Sequence, residues 1–308
     1  MKVIIIGYGI QGRKRQLSLK KKEFICSVDP YSKKAKYKDI KEVPSNLYDT
    51  VFICTPDKEK VKIIEFCIKN KKNCLIEKPF PICSQKKIKY LEKLSNKNKL
   101  VFYVAYNHRF EPHIIKIRDY LKSKKLGRIF SCKLFYGNGT SKLVKRSKWK
   151  DKGLGVVVDL STHLLDMCNY WFGLKKKIFS NISVDKFENK SPDNALMYEK
   201  INNIKFQLEV TYCMWKNDFF CDIIAEKGSV HMSSLCKWDK TILKIRTRRL
   251  PSGRPHEKNI SIKSKDITWK SELIHFRKLI KFKKNNNLTK DIWINNNLIN
   301  FKNILKVK

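Results

Sequence analysis

The first hundred residues alternate between short apolar runs and longer stretches in which polar and apolar positions are mixed. Residues 2–6 (Lys-Val-Ile-Ile-Ile) form a continuous run rich in β-branched side chains, the pattern of a strand covered on both faces. Similar runs recur at 24–28, 51–54, 74–76 and 100–104, and the stretches at 13–20, 58–69, 84–95 and from about Pro112 carry helical spacing. Strand followed by helix, repeated, predicts a parallel sheet. Each run ends in a polar or turn-forming cluster, which places those clusters at the carboxyl ends of the strands, where open α/β sheets bind ligands.

After Leu126-Gly127 the pattern changes. Residues 129–136, 206–214 and 223–232 read as strands separated by turn residues. One helical stretch, 159–172, follows Gly153-Leu154-Gly155. The expected fold class is therefore α/β, with a Rossmann-type, doubly wound parallel sheet at residues 1–120 and an α+β domain at 121–308. No internal repeat is present, and the polar runs at 285–287 and 295–297 carry no nameable chemistry.

The formal charge of +40 narrows the reading less than its size suggests. Of the 68 basic residues, 57 are Lys and only 11 are Arg, spread over nearly every segment. Nucleic-acid readers rely on the planar fork of Arg and cluster it on one face, so a nucleic-acid partner is not expected; the field would attract an anionic substrate. No apolar stretch approaches the roughly 20 residues that span a bilayer. The opening residues, broken by glycines and Arg13-Lys14-Arg15, lack a signal-peptide core, so a cytoplasmic protein without membrane insertion is expected. The ten cysteines include no C-x-x-C pair and no zinc-like spacing; they read as reduced, mostly core thiols, with no metal site.

Gly7-Tyr-Gly9-Ile-Gln-Gly12 follows the first strand and opens the first helix, the context required of a dinucleotide-binding turn. In that motif Gly7 permits the tight turn, Gly9 lets the backbone approach a pyrophosphate, and Gly12 lets helix pack on strand. Asp29 ends the second strand, where a carboxylate accepts ribose hydroxyls and repels a 2′-phosphate, favouring NAD; Lys33 and Lys34 nearby leave NADP open. Asp159 and His163 are spaced i, i+4 and share a face of a continuous helix. A histidine oriented by a carboxylate suits general-base work. Lys78, between Glu77 and Pro79 at a strand end, could stabilise alkoxide charge.

In order, G-x-G-x-x-G, V-D-P, C-T-P-D, E-K-P, Y-N-H-R-F-x-P and G-x-G-x-x-x-D-x-x-x-H-x-x-D resemble the glucose-fructose oxidoreductase/inositol dehydrogenase/rhizopine-catabolism (Gfo/Idh/MocA) family across residues 1 to about 175. The resemblance implies a second domain on an open, mainly antiparallel sheet, homodimers or homotetramers, and NAD(P)-dependent oxidation or reduction of a secondary alcohol on a sugar, cyclitol or sugar nucleotide. Lys78, Asp159 and His163 would be catalytic, with His163 taking the hydroxyl proton. Gly7, Gly9, Ile10, Gln11, Gly12 and Asp29 would hold the cofactor, together with Thr55, Pro56, Glu77 and Lys78. Tyr106, Asn107 and Arg109 would join the catalytic three in binding substrate, although Arg109 could equally be a structural ion pair. The segment Phe135-Tyr-Gly137-Asn-Gly139-Thr resembles members linked to surface-polysaccharide synthesis. An NAD-dependent glycosidase and a non-catalytic NAD-bound regulator are the alternatives.

Overall fold

Residues 1–107 build a five-stranded sheet in which every neighbouring pair is parallel, seen in a computed structural model that describes residues 1–147, 150–263, 265–283 and 288–307. The polar run at 285–287 lies outside the described residues. The elements are β1 (Val3–Ile6), α1 (Ile10–Ser18), β2 (Phe24–Val28), β3 (Thr50–Ile53), α2 (Asp57–Lys69), β4 (Asn73–Glu77), α3 (Gln85–Lys97) and β5 (Phe102–Ala105). The order β2-β1-β3-β4-β5 puts the crossover point beside β1. The apolar runs become strands because both faces are covered: Val3, Ile4 and Ile5 of β1 and Val51, Phe52 and Ile53 of β3 are fully buried. Helix α3 starts where the Ser84 hydroxyl accepts the amide of Lys87 at 3.2 Å, and it buries Ile88, Leu91 and Ser95 on one stripe.

The second sheet has eight strands. Its elements are α4 (Pro112–Lys122), β6 (Ile129–Gly137), α5 (Ser141–Lys145), α6 (Val156–Asp159), α7 (Ser161–Phe172), β7 (Asn181–Asp185), β8 (Asn194–Ile201), β9 (Ile204–Thr211), β10 (Asp218–Ala225), β11 (Gly228–Ser233), β12 (Thr241–Thr247) and β13 (His256–Ile262). In the order β13-β12-β11-β10-β6-β9-β8-β7, only the β6–β9 pair is parallel. Burial alternates along β10, the sign of a sheet with one covered face. Two helices follow, α8 (Thr268–Lys281) and α9 (Ile292–Ile304).

Two compact units result: residues 1–107 with 269–295, and 108–268 with 296–307. This differs from the expected 1–120 and 121–308 in two places. Helix α4 belongs to the second unit, because the Trp171 indole of α7 donates to the Ile114 carbonyl at 3.1 Å and His113 Nδ1 lies 3.0 Å from Thr241 Oγ1. The chain also returns to the first unit, because Leu273 and Phe276 of α8 pack into the core of Val3, Ile5, Phe52 and Leu75. Burying each such side chain stabilises by roughly 2–3 kcal/mol. Among the described residues, no helix is long and apolar enough to cross a membrane.

Candidate functional site

In the first unit the three glycines have distinct surroundings. Gly7 sits at φ +87°, and a Cβ there would lie 2.6 Å from the Cys54 carbonyl. At Gly12 it would lie 2.2 Å from the Gly7 carbonyl oxygen. At Gly9 it would meet nothing within 4 Å, so the backbone is bare on that side. Gly9 is also the N-cap of α1 and supplies no side-chain bond to the helix amides, while Ile10 and Gln11 of the first turn are exposed. A helix start with open backbone is a ready anion cradle. Asp29 braces the turn: one carboxylate oxygen accepts the Tyr8 amide at 2.7 Å and the other accepts those of Tyr31 and Ser32 at 2.9 and 3.0 Å. Three of about four acceptor positions are thus used, leaving capacity for a hydroxyl. Thr55 Oγ1, just after β3, is buried with no bond partner among the described residues, and Pro56 N-caps α2. This bare turn, a carboxylate beside it and an unsatisfied hydroxyl fit a dinucleotide.

The Glu77-Lys78-Pro79 turn is held by two buried cations. Lys60, only 1% exposed, donates from Nζ to the carbonyls of Glu77 (2.6 Å) and Pro79 (2.8 Å) and to Asp57 Oδ1 (2.7 Å). Arg15 donates from Nε to Glu77 at 2.5 Å and from Nη1 to Glu272 at 2.7 Å, with its guanidinium 4.3 Å from the Trp269 ring. Burial works against the Arg15 charge, but the two carboxylates outweigh it and raise its pKa. Burial dominates at Glu272 and pushes it up to about 7, despite Arg15 and a 3.3 Å hydroxyl bond from Tyr103. The Glu77 carboxylate, expected at the cofactor, is therefore engaged by Arg15 and fixes the turn that carries Lys78.

In the second unit, Asp159 and His163 do not share one uninterrupted helix. Asp159 ends α6, and His163 lies in α7, with Leu160 between the two helices. The interruption has a local cause. Ser161 Oγ bonds back to the Val157 carbonyl and Thr162 Oγ1 to that of Val158 at 3.0 Å, while the His163 amide reaches only three residues back, to Leu160, at 3.1 Å. Asp159 Oδ2 accepts the Tyr212 hydroxyl at 3.1 Å. Gly155, at φ +50°, lets the chain pass the Pro192 carbonyl, and Leu154, which splits the glycine pair, is buried. His163 is 8% exposed, stacked on His108 at 4.1 Å and 23°, with the Tyr136 ring at 5.8 Å.

Arg109 takes its structural alternative: Nε bonds both oxygens of the buried Asp166 at 3.0 and 2.9 Å, and Nη2 bonds the same carboxylate. Tyr106 and Asn107, expected to face substrate, are buried at the end of the first unit. Residues not singled out from sequence include Lys60, one lysine among 57, and Glu272, 257 positions from Arg15. His108 was visible inside Tyr106-Asn-His-Arg-Phe110 but without a role; Tyr212 and Lys237 carried no signal.

A model described as the oxidoreductase family's NAD-binding Rossmann fold matches residues 1–106, and one for the GFO/IDH/MocA C-terminal domain matches residues 114–231. A levoglucosan dehydrogenase of Pseudarthrobacter phenanthrenivorans is 27% identical over 128 residues, 40% of this chain and 33% of that protein. An uncharacterized oxidoreductase of Bacillus subtilis, YrbE, is 25% identical over 137 residues, 44% of this chain and 38% of its own. The aligned stretch thus spans about a third of one relative and under two fifths of the other. Among solved structures, levoglucosan dehydrogenase with NADH superposes at TM-score 0.80 (16% identity, 97% of this chain and 96% of that one). A UDP-N-acetylglucosamine 3-dehydrogenase of Acidithiobacillus ferrooxidans does so at 0.79 (17% identity, 97% and 95%). At those identities the likeness establishes the shared fold.

Proposed function

Because the chain belongs to the Gfo/Idh/MocA oxidoreductase family, we propose that it is an NAD-dependent dehydrogenase. It moves a hydride between the cofactor and a secondary alcohol or ketone of a sugar, cyclitol or sugar nucleotide, working as a homodimer or homotetramer in surface-polysaccharide synthesis. The observation that carries the reading is the turn between β1 and α1, where two glycines are locked by backbone contacts and Gly9 alone faces open space. The bare turn and the α1 amides would hold the pyrophosphate, Asp29 a ribose hydroxyl, and Thr55 and Pro56 the nicotinamide side.

When bound, the nicotinamide supplies the acceptor for two electrons and a hydrogen. The chain's own part is the proton: His163 accepts it from the substrate hydroxyl as the carbonyl forms, and returns it in the reverse direction. Asp159, held by Tyr212, orients His163 or a neighbouring hydroxyl. Lys78, on a turn fixed by Lys60 and Arg15, donates to a substrate oxygen and steadies alkoxide charge.

The test is to denature the purified protein and assay for released nicotinamide cofactor, then to titrate it with NADH and NADPH by fluorescence. Tight NADH binding with weaker NADPH binding is expected; binding of neither overturns the reading. Turnover would then be screened on sugars and sugar nucleotides, beginning with levoglucosan and UDP-N-acetylglucosamine. Release of free sugar without net NADH would point instead to a glycosidase, and binding without any turnover to a regulator.

A further inference from the structure

We propose that Lys237 and His108 are positioning residues that keep the His163 imidazole neutral, and so ready to take a proton, at the pH where the enzyme works. The inference rests on the dehydrogenase reading for its consequence but on geometry within the second unit for its substance. Lys237 Nζ lies 3.3 Å from His108 Nε2 and donates to the Tyr136 hydroxyl at 2.7 Å. An ammonium has only donors. We assign His108 Nε2 as the acceptor in this contact, with the ring proton on Nδ1. His108 in turn stacks on His163, with centroids 4.1 Å apart.

The two imidazoles are not equivalent in this arrangement. His108 cannot take a second proton without putting an imidazolium against the Lys237 ammonium, and a proton on His163 would place positive charge one ring away from that ammonium. Lys237 Nζ also lies 4.5 Å from the Trp238 ring centre and 5.2 Å from that of Tyr136, contacts that favour an ammonium. Three acidic side chains of the second unit have partners. Asp159 receives the Tyr212 hydroxyl and Asp166 the Arg109 guanidinium. Glu111, on the Lys237 side, accepts the Cys236 amide at 3.3 Å, and burial raises its carboxyl above the usual range. Lys237 is the counterweight to any carboxylate that would favour a charged His163.

The experiment follows the His163 ring by NMR titration of histidine-labelled full-length protein, its signal assigned by its loss in His163→Asn, alongside the pH dependence of kcat/KM. Lys237→Met is expected to raise the His163 pKa by roughly one unit, the order a nearby charge produces. The acidic limb of the rate profile should move up by the same amount, and Lys237→Arg should restore both. A merely structural lysine would lower activity at every pH and leave the limb where it was. An unmoved His163 titration in folded Lys237→Met protein overturns the proposal. Should that variant not fold, Lys237→Gln, which keeps a donor toward Tyr136 and His108 without the charge, is judged by the same criterion. A shifted His163 titration in a protein with no turnover on any substrate would sink the dehydrogenase reading while upholding this one.

Discussion

Replacing His163 by Ala removes the side chain in the second unit to which the proposed reaction assigns a proton. Turnover is expected to fall by about 100-fold or more, the usual contribution of a general base, with NADH affinity little changed; unchanged turnover would take His163 out of the mechanism. Steady-state rates and fluorescence titration on the same preparation separate the two effects. The residue was legible in the sequence because D-x-x-x-H is a local pattern. Its setting was not: His108 is 55 positions away and Lys237 is 74, and only the fold stacks one ring on the other and sets the ammonium beside it. Arg109 shows the converse. Its neighbours in the Tyr106–Phe110 cluster suggested a ligand, but a partner 57 residues later, Asp166, engages its guanidinium.

The turn between β1 and α1 carries a test at the level of the element. A methyl group at Gly7 would press on the Cys54 carbonyl and demand φ +87°, so Gly7→Ala should destabilise the first unit by about 1 kcal/mol or more. At Gly9 a methyl group meets no atom of the protein, so Gly9→Ala should melt within a degree or two of the parent while its NADH affinity drops at least tenfold. Unchanged affinity in Gly9→Ala would mean that the pyrophosphate does not lie against this turn. Alternation of apolar and amphipathic runs made β1 to β5 and α1 to α4 legible to within a few residues, since those strands are covered on both faces and read as unbroken apolar stretches. Strands β7, β8, β12 and β13 were missed because exposed and half-buried positions interrupt each of them, so none reads as an unbroken apolar run. The break at Leu160 was missed because hydroxyls bonding back to carbonyls leave helical spacing intact in the sequence.

Acid and base stability belong to the whole molecule and divide by unit. Glu272, in the first, has its pKa raised to about 7 by burial against Arg15 and Tyr103, above the ordinary 4.5. The folded state therefore binds its proton more tightly, and this group's stabilisation is full below pH 4.5 and is lost as pH rises through 7. Urea denaturation between pH 5 and 8 should show that slope for the first unit in the parent and a flatter one in Glu272→Gln; equal slopes would mean that Glu272 is ionised throughout. Glu199, in the second unit, acts oppositely. Burial opposes its charge, but the bonds from Lys177 and Ser180 prevail and hold it at about 2, so its contribution is lost only as pH falls from 4.5 to 2. The same division by scale separates what the sequence alone determined from what required the fold. Short-range patterns determined the parallel sheet, the glycine turn and the family, and singled out Lys78, Asp159 and His163 as candidates, because each is written in neighbouring residues. The tertiary structure alone decided the return of α8 to the first core, the Arg15–Glu272 pair, the Lys60 clamp and the stack of His108 on His163. In each of these, the partners are brought together by burying apolar surface that the chain exposes in widely separated segments, and burial leaves no local mark on the sequence.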